Sequence, residues 1–275
     1  MMPINEEKDI IFKETDDGPL KADVYYPTEG DKYPGIVLIH GGAWLQGYKE
    51  MYCEWGPYLA QQGYVTMTFN YRLSTPETPT YPDVINDVKD AVQFFVKNSK
   101  KWKIDTDNIV ILGDSAGGHL ATYITIDSQK DPSYHITAVI GVYGVYDLPA
   151  WQQYTMEARD NDPVGQLMGG SCNEMPEKYK EASPYYKIKM LEKPFNTIFF
   201  IIWGDSDDVV PASQSEAFSL LLEQKGFDTQ TLVIPNKGHY WFNIFEGIEG
   251  GSLKDDPNSL VVPNILNYLK MKLSK

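Results

Sequence analysis

The chain has 275 residues, 42% of them hydrophobic and 23% charged, and a formal net charge of −14. This length and balance suit one substantial core, read as a single domain over 1–275, and exclude a disordered chain. A surface this acidic repels phosphate backbones and anionic lipid, which argues against nucleic acid or a membrane as partner.

The opening stretch MMPINEEKDI has no basic segment followed by an apolar one. No signal peptide is read, and the chain as given is expected in the cytoplasm; a secreted chain trimmed of its leader would look the same. Segments 10–14 and 20–25 flank Asp16-Asp17-Gly18-Pro19, a turn signal, and predict an antiparallel hairpin at a sheet edge. The short apolar run at 35–40 (GIVLIH) predicts a strand buried on both faces. A helix is expected over 51–62, stopped by Gly63, and a strand over 64–71. In 81–98, Val84, Val88, Ala91, Val92 and Phe95 share one helical face. Strands follow at 108–113, 136–143, 197–203 and 229–234, and helices at 116–127, 213–225 and 257–272. Strand and helix alternating in this way build a mostly parallel sheet with helices on both faces. The segment 148–188, rich in Tyr, Met, Glu and Pro, breaks the rhythm and is read as a cap or lid insertion. Its aromatic and methionine side chains (Trp151, Tyr154, Met156, Met168, Tyr179, Tyr185, Tyr186) could line an acyl or aryl pocket, or pack on one another. Cys53 and Cys172 are too few for a disulfide scaffold; two reduced thiols are expected, with a single bridge left open.

Gly113-Asp114-Ser115-Ala116-Gly117 matches G-x-S-x-G directly between a buried strand and a helix. That turn presents a serine hydroxyl at the end of the sheet, with a helix N-terminus behind it to favour developing negative charge. Ser115 needs a base. Among the four histidines, His40 is read as organising its loop, His119 as packed on the serine's own helix, and His135 as a surface residue. His239, in the loop after the last strand, is the expected base. The loop Gly204-Asp205-Ser206-Asp207-Asp208 precedes it and supplies a carboxylate to orient the imidazole. Asp207 is preferred, with Asp208 and Asp205 as alternatives. Gly41-Gly42 after the 35–40 strand lets consecutive amides converge, so Gly42, Ala43 and Ala116 are the expected oxyanion donors. Asp114 is expected to brace the nucleophile's loop and, with Trp44 and Tyr240, to border the substrate. Arg72 and Asp87 read as a scaffold ion pair.

Together HGGAW (40–44), NYRL (70–73), GDSAGGHLA (113–121), GDSDDVVP (204–211) and GHYW (238–241) resemble the α/β-hydrolase esterases related to hormone-sensitive lipase, most of all the bacterial feruloyl/acetyl-xylan esterase-like branch. The resemblance runs from about Ile10 to the C-terminus. It implies an α/β-hydrolase fold, Asp207 as the acid, and a serine carboxylic-ester hydrolase acting on short acyl, acetyl or feruloyl esters. Many relatives have HGGG where this chain has Ala43, whose Cβ narrows the hole and argues against bulky tertiary alcohols. HGG-x-W is also similar to arylformamidases, which cut a formyl amide. A non-catalytic binding protein of the same fold is the third reading; retention of both Ser115 and His239 argues against it. With no H-E-x-x-H, no Cys/His cluster and no G-x-G-x-x-G after a strand, no metal or organic cofactor is expected. The expected partner is a small-molecule or carbohydrate-linked ester, and the oligomeric state, homodimer included, is open.

Overall fold

The computed structural model describes residues 1–130, 134–244 and 251–273. Its sheet contains β1 (Ile4–Lys13), β2 (Leu20–Pro27), β3 (Tyr33–Ile39), β4 (Val65–Phe69), β5 (Ile104–Asp114), β6 (Ile136–Val142), β7 (Ile198–Gly204) and β8 (Thr229–Ile234). The order across the sheet is β1-β2-β4-β3-β5-β6-β7-β8. From β4 to β8 every neighbouring pair is parallel, while β1 and β2 form an antiparallel edge. The helices are α1 (Trp55–Gln61), α2 (Asp83–Lys97), α3 (Ser99–Trp102), α4 (Ala116–Asp127), α5 (Leu148–Arg159), α6 (Pro163–Met168), α7 (Pro176–Ala182), α8 (Pro184–Met190), α9 (Ala212–Gln224) and α10 (Asn258–Leu273). This is the α/β-hydrolase architecture.

The central strands carry continuous apolar sequence because both their faces are covered. Val37 in β3 lies beside Met67 of β4 and Ile111 of β5, and all three are fully buried. Helix α2 turns the expected face inward: Val84, Val88, Ala91, Val92 and Phe95 have no exposed surface. The helix is also tied to the sheet by Asp87, itself buried, which accepts from Arg72 Nε and Nη2 at 2.8 Å each and meets Lys13 Nζ at 2.8 Å.

Three elements depart from the sequence reading, the simplest being β5, which starts at Ile104, four residues before the expected strand. The helix expected over 51–62 is interrupted: a short 3₁₀ turn occupies Lys49–Tyr52, and α1 starts only at Trp55. Pro57 is the reason. It has no N–H and its ring clashes with the carbonyl four residues back, so it fits only the first turn of a helix. Strand β1 is longer than expected, with a register break between Glu7 and Ile10 where Asp9 takes φ 54°. The Asp9 N–H, turned out of the ladder there, donates to Asp23 Oδ1 at 2.8 Å. An edge strand tolerates such charged, irregular sequence because one side faces water.

Between β6 and β7 the chain makes α5 to α8 instead of returning directly to the sheet. Asp147 starts α5 by accepting from the Ala150 N–H, and Asp162 starts α6 by accepting from Gly165. Cys53 is exposed and Cys172 half-buried, both as free thiols. Among the described residues, no helix is long and apolar enough to cross a membrane.

Candidate active site

Ser115 joins β5 to α4 with φ 51° and ψ −120°, a conformation that side chains rarely adopt. The turn is so tight that its flanking glycines are obligatory. A Cβ on Gly113 would lie 2.3 Å from the Gly117 carbonyl oxygen, and one on Gly117 would lie 1.9 Å from that of Ile39. The Ser115 N–H donates to Val142 O in β6 at 2.9 Å, fixing the turn against the sheet.

The loop after β8 brings His239 back over this turn, with Nε2 3.0 Å from Ser115 Oγ. Its Nδ1 lies 2.6 Å from Asp207 Oδ2. The other Asp207 oxygen accepts from the amides of Val209 and Val210, each at 2.9 Å, so the carboxylate cannot swivel away. The neighbouring aspartates do other work. Asp205 holds the next loop by accepting from Asn236 N at 2.7 Å, and Asp208 has an exposed side chain. Tyr143, which the sequence reading did not single out, underlies the imidazole at a ring distance of 4.2 Å. Its hydroxyl accepts from the Phe242 N–H at 3.1 Å.

After β3, Gly42, Ala43 and Trp44 take φ values of 107°, 54° and 62°. Only glycine fits at the first position, because a Cβ there would come within 2.0 Å of Gln46 O. Gly42 and Ala43 line the same cleft as Ser115 and His239. Among the described residues, no protein acceptor takes the amides of Gly42, Ala43 or Ala116. The loop is held from below. Asp114 accepts from the Gly41 N–H at 3.0 Å and from the Tyr52 hydroxyl at 2.6 Å. Burial lifts the Asp114 carboxyl above its usual range, partly offset by the Tyr52 hydrogen bond. His40 Nδ1 donates to Gly41 O at 2.8 Å and its ring stacks on Tyr71.

One residue expected to border the substrate occupies a supporting position instead. Trp44 is fully buried: its indole N–H donates to His119 Nδ1 at 3.2 Å and its ring packs edge-on against Trp151. Asp114, expected both to brace the loop and to border the substrate, uses one oxygen for the Gly41 amide and Tyr52 and also lines the floor of the cleft at Ser115. Burial of the Trp44 indole is possible because its one polar atom has a protein partner. Tyr240, by contrast, is about half exposed (48%) and stands at the mouth of the cleft. His119 carries the Trp44 contact onward, its Nε2 donating to Ala182 O of α7 at 2.8 Å. Burial lowers the pKa of both His40 and His119 to about 4, which keeps their rings neutral.

The cleft at Ser115 is narrow, about 40 Å³, and is bounded by Gln46, Trp151, Val209, Tyr240 and Asn243 besides the residues above. It lies between two larger lobes that share Gly42, Gln46 and Tyr240. One, about 270 Å³, runs beneath α5 and α6; the other, about 290 Å³, runs toward Tyr48 and Met51. Of the aromatic and methionine side chains singled out in 148–188, Trp151 alone lines the cleft, while Tyr179 and Met168 are buried and Met156 and Tyr186 border a separate hollow. Helix α5 is fastened to the loop carrying Asp207: Trp151 Nε1 donates to Val209 O at 2.9 Å, and the Tyr154 hydroxyl to Asp208 O at 2.6 Å. Among the described residues, no group of three or more His, Cys, Asp or Glu is placed to hold a metal ion.

Comparison with known proteins identifies the family. The BD-FAE family model matches residues 22–222, most of the chain and all of it from β2 into α9. The chain belongs to the BD-FAE family. Among curated proteins, this BD-FAE member is 29% identical to esterase LipC of Mycobacterium tuberculosis over 238 residues, covering 79% of this chain and 55% of LipC. It thus spans about half the length of the curated relatives it matches. Among solved structures, esterase B from Lactobacillus rhamnosis superposes with a TM-score of 0.79 at 21% identity, covering 98% of this chain and 85% of that one. A truncated carbohydrate esterase from gut microbiota gives 0.77 at 23% identity, covering 98% and 97%.

Proposed function

We propose that this BD-FAE chain is a serine carboxylic-ester hydrolase that works through an acyl-serine. The observation that carries the reading is the line Asp207–His239–Ser115, with contacts of 2.6 and 3.0 Å, beside the amides of Gly42, Ala43 and Ala116. His239 Nε2 takes the Ser115 proton as Oγ attacks the ester carbonyl. The carbonyl oxygen becomes an oxyanion that the three amides and the N-terminus of α4 stabilise. Asp207 holds Nδ1–H and balances the imidazolium. The C–O bond to the alcohol breaks, and His239 returns the proton to the leaving oxygen. Water, deprotonated by His239, then attacks the acyl-serine, releasing the acid and restoring Ser115.

The narrow space at Ser115 favours short acyl chains, with acetyl or feruloyl esters of carbohydrate as the substrate class that family membership supports. Helices α5 to α8 serve as a cap that forms one wall of the cleft. The test is turnover of 4-nitrophenyl acetate, butyrate and octanoate, with methyl ferulate and N-formylkynurenine alongside, by wild type and Ser115→Ala. Turnover that falls with chain length and vanishes in the variant is expected. Folded wild type that cleaves no ester above the variant's background would refute the reading, and a preference for N-formylkynurenine would move it to amide hydrolysis.

A further inference from the structure

The lobe beneath α5 and α6 has a charge unlike that of the protein as a whole. The chain carries 38 Asp and Glu against 24 Lys and Arg. Yet among the described residues no carboxylate lines this lobe; its polar wall is Gln46, Asn161, Gln166, Tyr240 and Arg159, with Trp151 beside the cleft. Arginine is rare in this chain, occurring at Arg72 and Arg159 and nowhere else. Arg72 is committed to Asp87 through two hydrogen bonds. Arg159 forms no ion pair among the described residues; one Nη1 donates to the backbone carbonyl of Asp208 at 2.9 Å.

Arg159 is the last residue of α5, where a cation ordinarily serves its own helix's carbonyls. Here the side chain instead reaches the loop that holds Asp207. A guanidinium has five N–H donors in a planar fork matched to a carboxylate. One donor is used as an anchor, which leaves a fork edge for a ligand in the lobe. The amides of Gln46, Asn161 and Gln166 can meet hydroxyl or carbonyl groups flanking that carboxylate.

We propose that Arg159 makes this lobe a carboxylate-recognising subsite, so that the preferred ester bears a carboxylate on the part lying beneath α5. The class is a carboxylated ester: an acyl group ending in a carboxylate, or an acylated alcohol that carries one, as a sugar acid does. This rests on the ester-hydrolase reading above. A competing role for Arg159 is to brace the Asp208 carbonyl, and the two separate cleanly. A brace affects every ester alike, whereas recognition affects only the carboxylated one.

The experiment measures kcat/KM on two matched pairs: 4-acetoxybenzoate against 4-acetoxybenzamide, and mono-4-nitrophenyl adipate against the corresponding adipamate. Dividing the carboxylate-to-amide ratio of wild type by that of Arg159→Gln cancels the esters' intrinsic reactivity. This quotient is expected near tenfold in one pair, the scale of one charge-assisted pair at a half-open site. Arg159→Lys retains part of the preference, and Arg159→Glu turns it against the carboxylate. The responding pair tells whether the lobe takes the alcohol or the acyl side. A quotient near one in both pairs, including an equal fall on both members, overturns the proposal. So does turnover of 4-nitrophenyl acetate without turnover of either carboxylated ester. Failure of the hydrolase reading itself shows separately, as absence of Ser115-dependent turnover of 4-nitrophenyl acetate.

Discussion

Acid should unfold this protein in a window set by its buried histidines. His40 and His119 have no exposed surface, and burial holds both pKa values down at about 4. In the unfolded chain each would titrate near 6.5. Between these values the unfolded state binds a proton at each site that the folded state refuses. Their contribution to stability is therefore whole above about pH 6.5 and is lost as pH falls toward about 4. At about 1.4 kcal/mol per pKa unit, each histidine accounts for roughly 3 kcal/mol, a large part of the roughly 5–15 kcal/mol that holds a domain folded. The physical event at His119 is specific: protonation would make Nδ1 a donor facing the Trp44 N–H that it now accepts. The perturbation is His119→Gln, whose amide is neutral at every pH used. Urea unfolding from about pH 7 to about pH 4.5 should find the variant less stable at neutral pH, with the gap closing by roughly 2–3 kcal/mol on acidification. Asp114, whose raised pKa works in the opposite direction, and the other carboxylates are common to both proteins and cancel. Parallel stability curves for wild type and variant would refute the assignment of this loss to His119.

Two further outcomes follow from the site. Asp207→Asn keeps the amide contacts from Val209 and Val210 but removes the charge behind His239, so kcat should fall roughly a thousand- to ten-thousandfold with little change in melting temperature; steady-state kinetics and a thermal melt on the same sample check both. Ala43→Gly relieves roughly 1–2 kcal/mol of left-handed strain at φ 54° against a chain-entropy cost of roughly 0.4–1 kcal/mol. The variant should melt no lower than wild type and should gain turnover of tert-butyl acetate, and a clear drop in melting temperature would contradict the strain argument.

The sheet, the nucleophile turn and the histidine were legible because each has a local signature. Buried strands such as Ile36–Ile39 and Ile109–Leu112 are uninterrupted apolar runs, and Gly113 and Gly117 are required by contacts within a single turn. Choosing among Asp205, Asp207 and Asp208 was harder, because three carboxylates in four residues differ only in where the loop points them. The structure separates them by hydrogen bonds to amides that no spacing rule reveals. Trp44 was misplaced for a similar reason. A tryptophan beside an oxyanion loop reads as a substrate contact, and its real partner, His119, lies 75 residues away in sequence. Tyr143 and Asn243 carried no motif at all; only the convergence of β6 and the loop after β8 brings Tyr143 beneath His239 and Asn243 to the cleft.

Long-range contacts of the same kind fasten helices α5 to α8, proposed above as a cap, to the rest of the site. Trp151, Tyr154 and Arg159 of α5 all donate to backbone carbonyls at Asp208 and Val209, immediately after the acid. His119 on the nucleophile's helix donates to Ala182 at the end of α7. Swinging the cap away would break all four. At a net of about 1 kcal/mol each, that costs roughly 4 kcal/mol before the nearly buried Trp151 ring is exposed to water. An open state so costly would hold well under one molecule in a hundred. Helices α5 to α8 are therefore wired to the loop of Asp207 on one side and to the helix of Ser115 on the other. On the ester-hydrolase reading proposed above, the lobes on either side of Tyr240 are the open approaches to Ser115, and Arg159 stands in the wall of one of them.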